Sequence, residues 1–369
     1  MARLTSPASH HHPSHRHLLQ ATGAPAGMAR IDAIVVPTAR PSRYLRHASH
    51  LAEVLGCPLV VLCSGRWTSA ERVRAGAAPG ADVIAIDFTA RSAARLPALE
   101  TSTALPPRLR RHTDTAAKRN FALALARMAG WERIVFLDDD IEVGAPDDLR
   151  RAAGLLDDFD AAGLSIGGFP DNSVVCHAFR AVGGHQETFV GGGALVVETV
   201  RDVAFFPDVY NEDWFYLLKE DGLRPLAVTG LVKQAPYDPF RTTERARAEE
   251  TGDVLAEGVF WLLDEGRTLR EADLRHWTEF LARRRLFIES ILGRLPRARV
   301  SPDERRRMEE SLKAARGRLA LISPELCLGY LDRWRADSKV WREFVELLPR
   351  GRPVEQALRY LATPGRGAP

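Results

Sequence analysis

Apolar residues fall in short runs over the first two thirds of the chain and at helical spacing over the last third. Runs at 31–37 (IDAIVVP), 58–63 (PLVVLC), 82–88 (DVIAIDF) and 134–137 (IVFL) are bounded by turn residues. They read as strands buried on both faces of a parallel sheet. Between the first two, Leu45, Ala48, Leu51, Ala52 and Leu55 repeat at helical spacing and stop at Gly56, predicting a helix over 44–55. A short helix is expected over 69–75. Strand, helix, strand, helix, strand implies right-handed crossovers. Residues 91–107 are rich in Pro and Ala and predict a surface loop. A helix over 115–129 opens at Asp114 as N-cap and closes at Gly130. Further on, a helix is expected over 147–158 and strands over 164–169, 189–198 and 226–232, with a turn at Pro170, Asp171 and Asn172. A helix begins at Asn211, Glu212 and Asp213, with Trp214, Leu217 and Leu218 as its apolar face. From about 268 the pattern becomes all-helical, over 269–292, 302–322, 324–348 and 353–361, with Pro breaks between.

The stretch 131–143 (WERIVFLDDDIEV) carries the densest chemistry. An apolar strand runs straight into Asp138, Asp139 and Asp140. In open α/β sheets ligands bind just beyond the carboxyl ends of the strands, where these acids stand. Side-chain alternation places Asp138 and Asp140 on one face and Asp139 on the other. Two carboxylates on one side call for a positive group between them, and a divalent cation carrying phosphate is one answer. A solvated acidic turn is the other reading. Gly191, Gly192 and Gly193 let a backbone approach a ligand closely, or form a bulge. Glu212 and Asp213 are chemical candidates or simply a helix cap.

Composition narrows the classes. The 369 residues suit one large domain or two smaller ones, and 45% hydrophobic content is ordinary for a globular chain. No run approaches a membrane span, and no secretory signal is seen. Cys57, Cys63, Cys176 and Cys327 lack CxxC spacing, which argues against zinc or a disulfide framework and fits a reducing cytoplasm. Net charge is +3, with lysine at only five positions, so nucleic-acid binding is not expected. Residues 1–28 are rich in His, Ser, Pro and Ala. His10, His11, His12, His15 and His17 could grip a metal, but a disordered tail, or an extension before a true start at Met28, is expected. The arginine runs 283–285 and 305–307 read as solvated faces, or as a lipid- or partner-facing surface.

Taken in order, IVVPTARP, Asp87 after the third strand, AAKRNFALALA, FLDDDIEV, GGGALVV and NEDWFYLL resemble the GT-A class of glycosyltransferases, family-2-like members most closely, over about 30–235. The resemblance implies a Rossmann-like, mostly parallel sheet flanked by helices over 29–265, followed by an all-α appendage over 266–369. It implies transfer of a sugar from a UDP- or GDP-linked donor to an unidentified acceptor hydroxyl. Pro37, Thr38 and Arg40 would hold base and ribose, and Asp87 would accept from a base N–H. Lys118 and Arg119 would meet the diphosphate or donor sugar. Asp138 and Asp139 would lie at the donor, and Asp138 with Asp140 would bind Mn²⁺ or Mg²⁺. Gly191, Gly192, Gly193 and Trp214 would lie on the acceptor side. Asp213 would be the base of an inverting reaction, with Glu212 orienting the acceptor or the base. One departure stands out: where many relatives have a metal-binding His beyond the Glu-Asp segment, this chain has Gln234, which implies an ion held by Asp140, phosphates and water alone, a weak metal, or an enzyme that has drifted.

Rivals are thin. No GxxxxGK[ST] loop is present for a P-loop NTPase. Strand one ends in PTARPSR, which lacks both a phosphatase's aspartate and a nucleotidyltransferase's glycines. The remaining alternative is a catalytically silent GT-A-like module that binds a glycan or protein, with the helical tail as a homo-oligomer or membrane-surface contact.

Overall fold

The computed structural model describes residue 11 and residues 14–19, 21–22, 27–170, 172–201 and 203–364. His10, His12 and Asp171, named above, lie outside them. The strands are β1 (Ala21–Thr22), β2 (Ala33–Thr38), β3 (Leu59–Cys63), β4 (Val83–Asp87), β5 (Arg133–Leu137), β6 (Ile141–Val143), β7 (Ala161–Gly168), β8 (Ala194–Glu198) and β9 (Leu226–Gln234). They form one sheet in the order β1-β9-β7-β8-β5-β2-β3-β4, with β6 paired to β9. Neighbours run parallel except around β8, which is antiparallel to β5 and β7, and at β6 against β9. Val35, Val60, Ile134, Val135 and Phe136 are fully enclosed, as runs without polar alternation require.

The helices are α1 (Arg46–Leu55), α2 (Ala70–Ala75), α3 (Thr101–Ala104), α4 (Thr115–Ala129), α5 (Pro146–Leu155), α6 (Val174–Ala181), α7 (Glu212–Tyr216), α8 (Thr243–Asp264), α9 (Leu274–Arg294), α10 (Pro302–Leu319), α11 (Pro324–Leu347) and α12 (Val354–Leu361). α1, α2 and α5 cover one face of the sheet. α4 and α8 cover the other, and the same apolar cluster continues without a break into α9, α10, α11 and α12. The molecule is thus the α/β fold expected from the strand-helix order, a mostly parallel central sheet flanked by helices, with a helical C-terminal region. No helix among the described residues is long and apolar enough to cross a membrane.

Several local expectations are corrected. Residues 91–107 are not a plain surface loop: α3 lies within them, and the buried Asp337 of α11 accepts from the backbone N–H groups of Glu100 and Thr101, both at 2.8 Å, and from the Thr101 hydroxyl at 2.7 Å. Asp114 does not cap α4 through its side chain but pairs with Lys118 at 2.9 Å. α7 is a single turn rather than a helix reaching Leu218. α8 has no counterpart among the expected elements, because its charged residues fall on buried faces. Glu249, Glu250, Asp253 and Glu257 are all enclosed. Within 283–285, Arg284 is not solvated. It grips Glu250 through two bonds of 3.0 and 2.8 Å and Asp253 at 2.6 Å, all out of water. Arg306, by contrast, is on a solvated face as expected.

The expected tail supplies buried groups where it is described. His15 is enclosed against α8, 2.6 Å from Asp264 and 3.3 Å from Glu257, with Phe189, Trp214 and Phe260 around its ring. Burial by itself would lower the His15 pKa. The two carboxylates outweigh that and raise it to about 9.

Candidate functional site

The carboxyl ends of β2 and β5, the start of α4 and the α7 corner enclose a cavity of about 380 Å³. β5 stops at Leu137, and the chain turns so that the Ile141 N–H donates to the Asp138 carbonyl at 3.2 Å. Alternation ends with the strand. Asp138, Asp139 and Asp140 therefore all line this one cavity, and the expectation that Asp139 points away is overturned. The Asp138 N–H donates to the Gly193 carbonyl at 3.0 Å, which stitches the acidic turn to the glycine run before β8.

One guanidinium organises the floor. Arg119 is buried because α4 is sandwiched between the sheet and α12. Its Nη2 reaches Asp138 at 3.1 Å and its Nη1 reaches Glu212 at 3.1 Å, over the rings of Phe136 and Phe206. Arg111 completes Glu212 at 3.0 Å. Glu212 is thereby the counter-ion of two arginines. The glycines answer to the same group. A Cβ on Gly192 would sit 2.6 Å from Cζ of Arg119, so only glycine fits beside it.

Asp213, next along α7, accepts from the Gly192 N–H at 2.5 Å and from the Trp214 N–H at 3.0 Å. Burial, then the neighbouring Glu212 charge, push its carboxyl up to about 6 despite Arg119. Asp213 lines the 380 Å³ cavity on one side. On the other it borders a pocket of about 60 Å³ shared with Gly191, Trp214 and His15. Asp138 is raised as well, mainly by burial against the opposing pull of Arg119. Asp139 is pushed up to about 6 by burial, against Thr38, which donates to it at 2.5 Å, and Arg40.

Arg40 reaches both remaining acids. Its Nη1 is 3.1 Å from Asp139 and its Nη2 is 2.8 Å from Asp140, while its side chain stays 46% exposed. It lines the cavity from just beyond the end of β2. The Lys118 Nζ donates to the Thr38 carbonyl at 3.0 Å and the Ser64 hydroxyl at 2.6 Å, besides the Asp114 pair. All three ammonium hydrogens are used, so Lys118 joins the ends of β2 and β3. It lines an adjoining cavity of about 450 Å³ that shares Pro37, Thr38 and Thr115 with the first.

Of the expected residues, Pro37, Thr38, Arg40, Arg119, Asp138, Asp139, Asp140, Gly193, Glu212 and Asp213 converge on one cavity. Gly191 and Trp214 lie across Asp213 from it. Asp87 lines neither cavity, and its carboxylate accepts the Ala70 N–H that opens α2 at 2.7 Å. The sequence reading missed Arg111, Tyr210, Tyr237 and Arg245 in the cavity wall. Arg110, Arg111 and His112 form a basic run just before α4 that could have flagged the first. Nothing in the pattern marked the others.

A divalent cation was expected on Asp138 and Asp140. Such an ion wants about six oxygen ligands. Among the described residues no three His, Cys, Asp or Glu side chains converge as a ligand set. Asp138 is bound to Arg119, Asp140 to Arg40, and Gln234 lies in the wall where a third ligand was looked for. The donor set does not fit a resident metal as it is arranged.

No protein-family model matches the chain, and no curated protein matches it in sequence. Among solved structures it is similar to the mannosyltransferase PcManGT from Pyrobaculum calidifontis in complex with GDP-Man and Mn²⁺. The identity is 18% over 86% of this chain and 90% of that one, with a TM-score of 0.42.

Proposed function

We propose that the chain is a glycosyltransferase that moves a sugar from a nucleoside-diphosphate donor to an acceptor hydroxyl, with Asp213 as general base. The observation that carries this reading is Asp213 itself. It is a buried carboxyl raised to about 6, fixed by two backbone N–H groups, in the wall of a cavity that also holds Arg40, Arg111 and Arg119. A base wants a pKa near working pH, and a diphosphate wants arginine forks. In this reading the acceptor oxygen bonds to the anomeric carbon and its proton passes to Asp213. The bond from that carbon to the phosphate oxygen breaks, and its electron pair leaves with the diphosphate. The configuration inverts. No step is routed through a metal, for the reason given above.

The test is a panel of nucleoside-diphosphate sugars, followed by release of nucleoside diphosphate and by thermal shift. Turnover of at least one donor that falls at least a hundredfold in Asp213→Asn, with nucleoside-diphosphate binding retained, supports the reading. Undiminished turnover in that variant defeats it. The silent binding module draws support from one observation, that each acid of the cavity floor already has an arginine partner. It predicts ligand binding without any turnover.

A further inference from the structure

The cation expected between Asp138 and Asp140 has a stand-in that belongs to the chain. We infer that Arg40 does the work of a divalent metal: it is the positive group that receives the donor's diphosphate and holds the charge that builds on it as the sugar leaves. The inference rests on the glycosyl-transfer reading above.

Three observations point to it. Arg40 is placed by its surroundings. Its backbone N–H donates to the Thr38 hydroxyl at 3.0 Å, Pro41 follows it, and the Tyr44 ring lies 5.6 Å from its guanidinium carbon. Asp139 and Asp140 then hold the fork from one side. A guanidinium has five N–H donors, and two contacts leave at least three for a ligand. The side chain is 46% exposed and lines the cavity, which leaves it open to an entering diphosphate.

The other cations nearby are more enclosed: Arg245, also in the cavity wall, is 35% exposed with its Nε on Glu249 at 2.6 Å. Lys118 has all its hydrogens engaged, and Arg119 is sealed between Asp138 and Glu212. Arg111 is tied to Glu212. Arg40 is the most exposed of the four arginines that line the cavity.

A metal would have to displace it. Asp140, the expected ligand, is 2.8 Å from Arg40 Nη2, and an ion there would stand next to a fixed positive charge. Gln234, in place of a third anionic or imidazole ligand, adds no charge to offset that repulsion. An arginine fork matches two phosphate oxygens in the way a metal bridges them, and it stays charged at any working pH.

The experiment is calorimetric titration of full-length protein with UDP and with GDP, each in EDTA and in Mn²⁺. Binding to the native protein is expected to differ less than about threefold between the two buffers. Arg40→Ala should bind about 10- to 100-fold more weakly in EDTA, the worth of a charged hydrogen-bond pair. Mn²⁺ should restore much of the loss, because Asp139 and Asp140 are then open to it. Arg40→Lys keeps the charge without the fork and should fall between, which separates the effect from misfolding. Native binding that weakens tenfold or more in EDTA overturns the inference and leaves glycosyl transfer standing. So does an Arg40→Ala protein that binds as tightly as native in EDTA. Failure to bind either nucleotide in either buffer overturns both readings.

Discussion

The fit of Arg119 against Gly192 makes a prediction that a double-mutant cycle can settle. Arg119→Ala removes the partner of Asp138 and one of two partners of Glu212. Breaking a buried pair typically costs about 3–5 kcal/mol. Glu212 keeps Arg111, and the Asp138 side chain is 38% exposed, so its share is discounted for solvent screening. A loss of about 2–3 kcal/mol is the reasoned value. Gly192→Ala alone forces a methyl to within 2.6 Å of Arg119 Cζ, an overpacking worth about 1–3 kcal/mol. If the sites were independent, the double variant would lose the sum. They are not: with Arg119 gone the methyl has room. The double variant should be no less stable than Arg119→Ala by more than about 0.5 kcal/mol, leaving a coupling of about 1–3 kcal/mol. Urea unfolding followed by far-UV circular dichroism, with unchanged m-values, measures all four corners. Simple additivity within about 0.5 kcal/mol would refute the claim that Gly192 is there to make room for Arg119.

Three further outcomes follow from the geometry. The Asp213 carboxyl must be ionised to act as a base, so donor turnover should rise with pH through about 6, and any residual turnover of Asp213→Asn should lack that limb; kcat/KM against pH reads it. Removing His15 takes a shared partner from the buried Glu257 and Asp264, while His17 still reaches Asp264 at 3.2 Å, so His15→Ala should lose about 3 kcal/mol at neutral pH, the low end for a broken buried pair. Because folding raises the His15 pKa from 6.5 to about 9, its contribution is full below pH 6.5 and fades as pH rises through about 9. The stability gap between native and His15→Ala should therefore narrow between pH 7 and pH 10, and a constant gap would contradict the pairing. Asp337→Ala strands the N–H groups of Glu100 and Thr101, and a loss of about 1–3 kcal/mol in thermal or urea unfolding is expected, with no change in nucleotide binding.

The parallel half of the sheet was legible because uninterrupted runs such as LVVLC have no other stable use, and each ends near a helix whose spacing is plain. The reversed β8 was not, since a strand buried on both faces looks the same in either direction. α8 was invisible for a different reason: Glu249, Glu250 and Asp253 read as solvent-facing until Arg245 and Arg284, from this helix and the next, are seen beside them. At the site, the residue types were right and the pairings were not. Arg40 and Asp140 are a hundred positions apart, and which cation settles on which acid is decided by tertiary approach alone. The alternation used for Asp138, Asp139 and Asp140 failed because it holds only while the backbone is a strand.

The buried Arg284 grip also bears on how the chain can be divided. Among the described residues α9 supplies the one cation bonded to Glu250, and Asn211, at the start of the Asp213 turn, donates to Asp253 at 3.1 Å. A protein truncated after Asp264 would keep every side chain of the cavity yet strip the counter-charge from two enclosed acids, one of them bonded to the turn that carries the base. The helices that carry no chemistry of their own are the foundation on which the reactive corner is set.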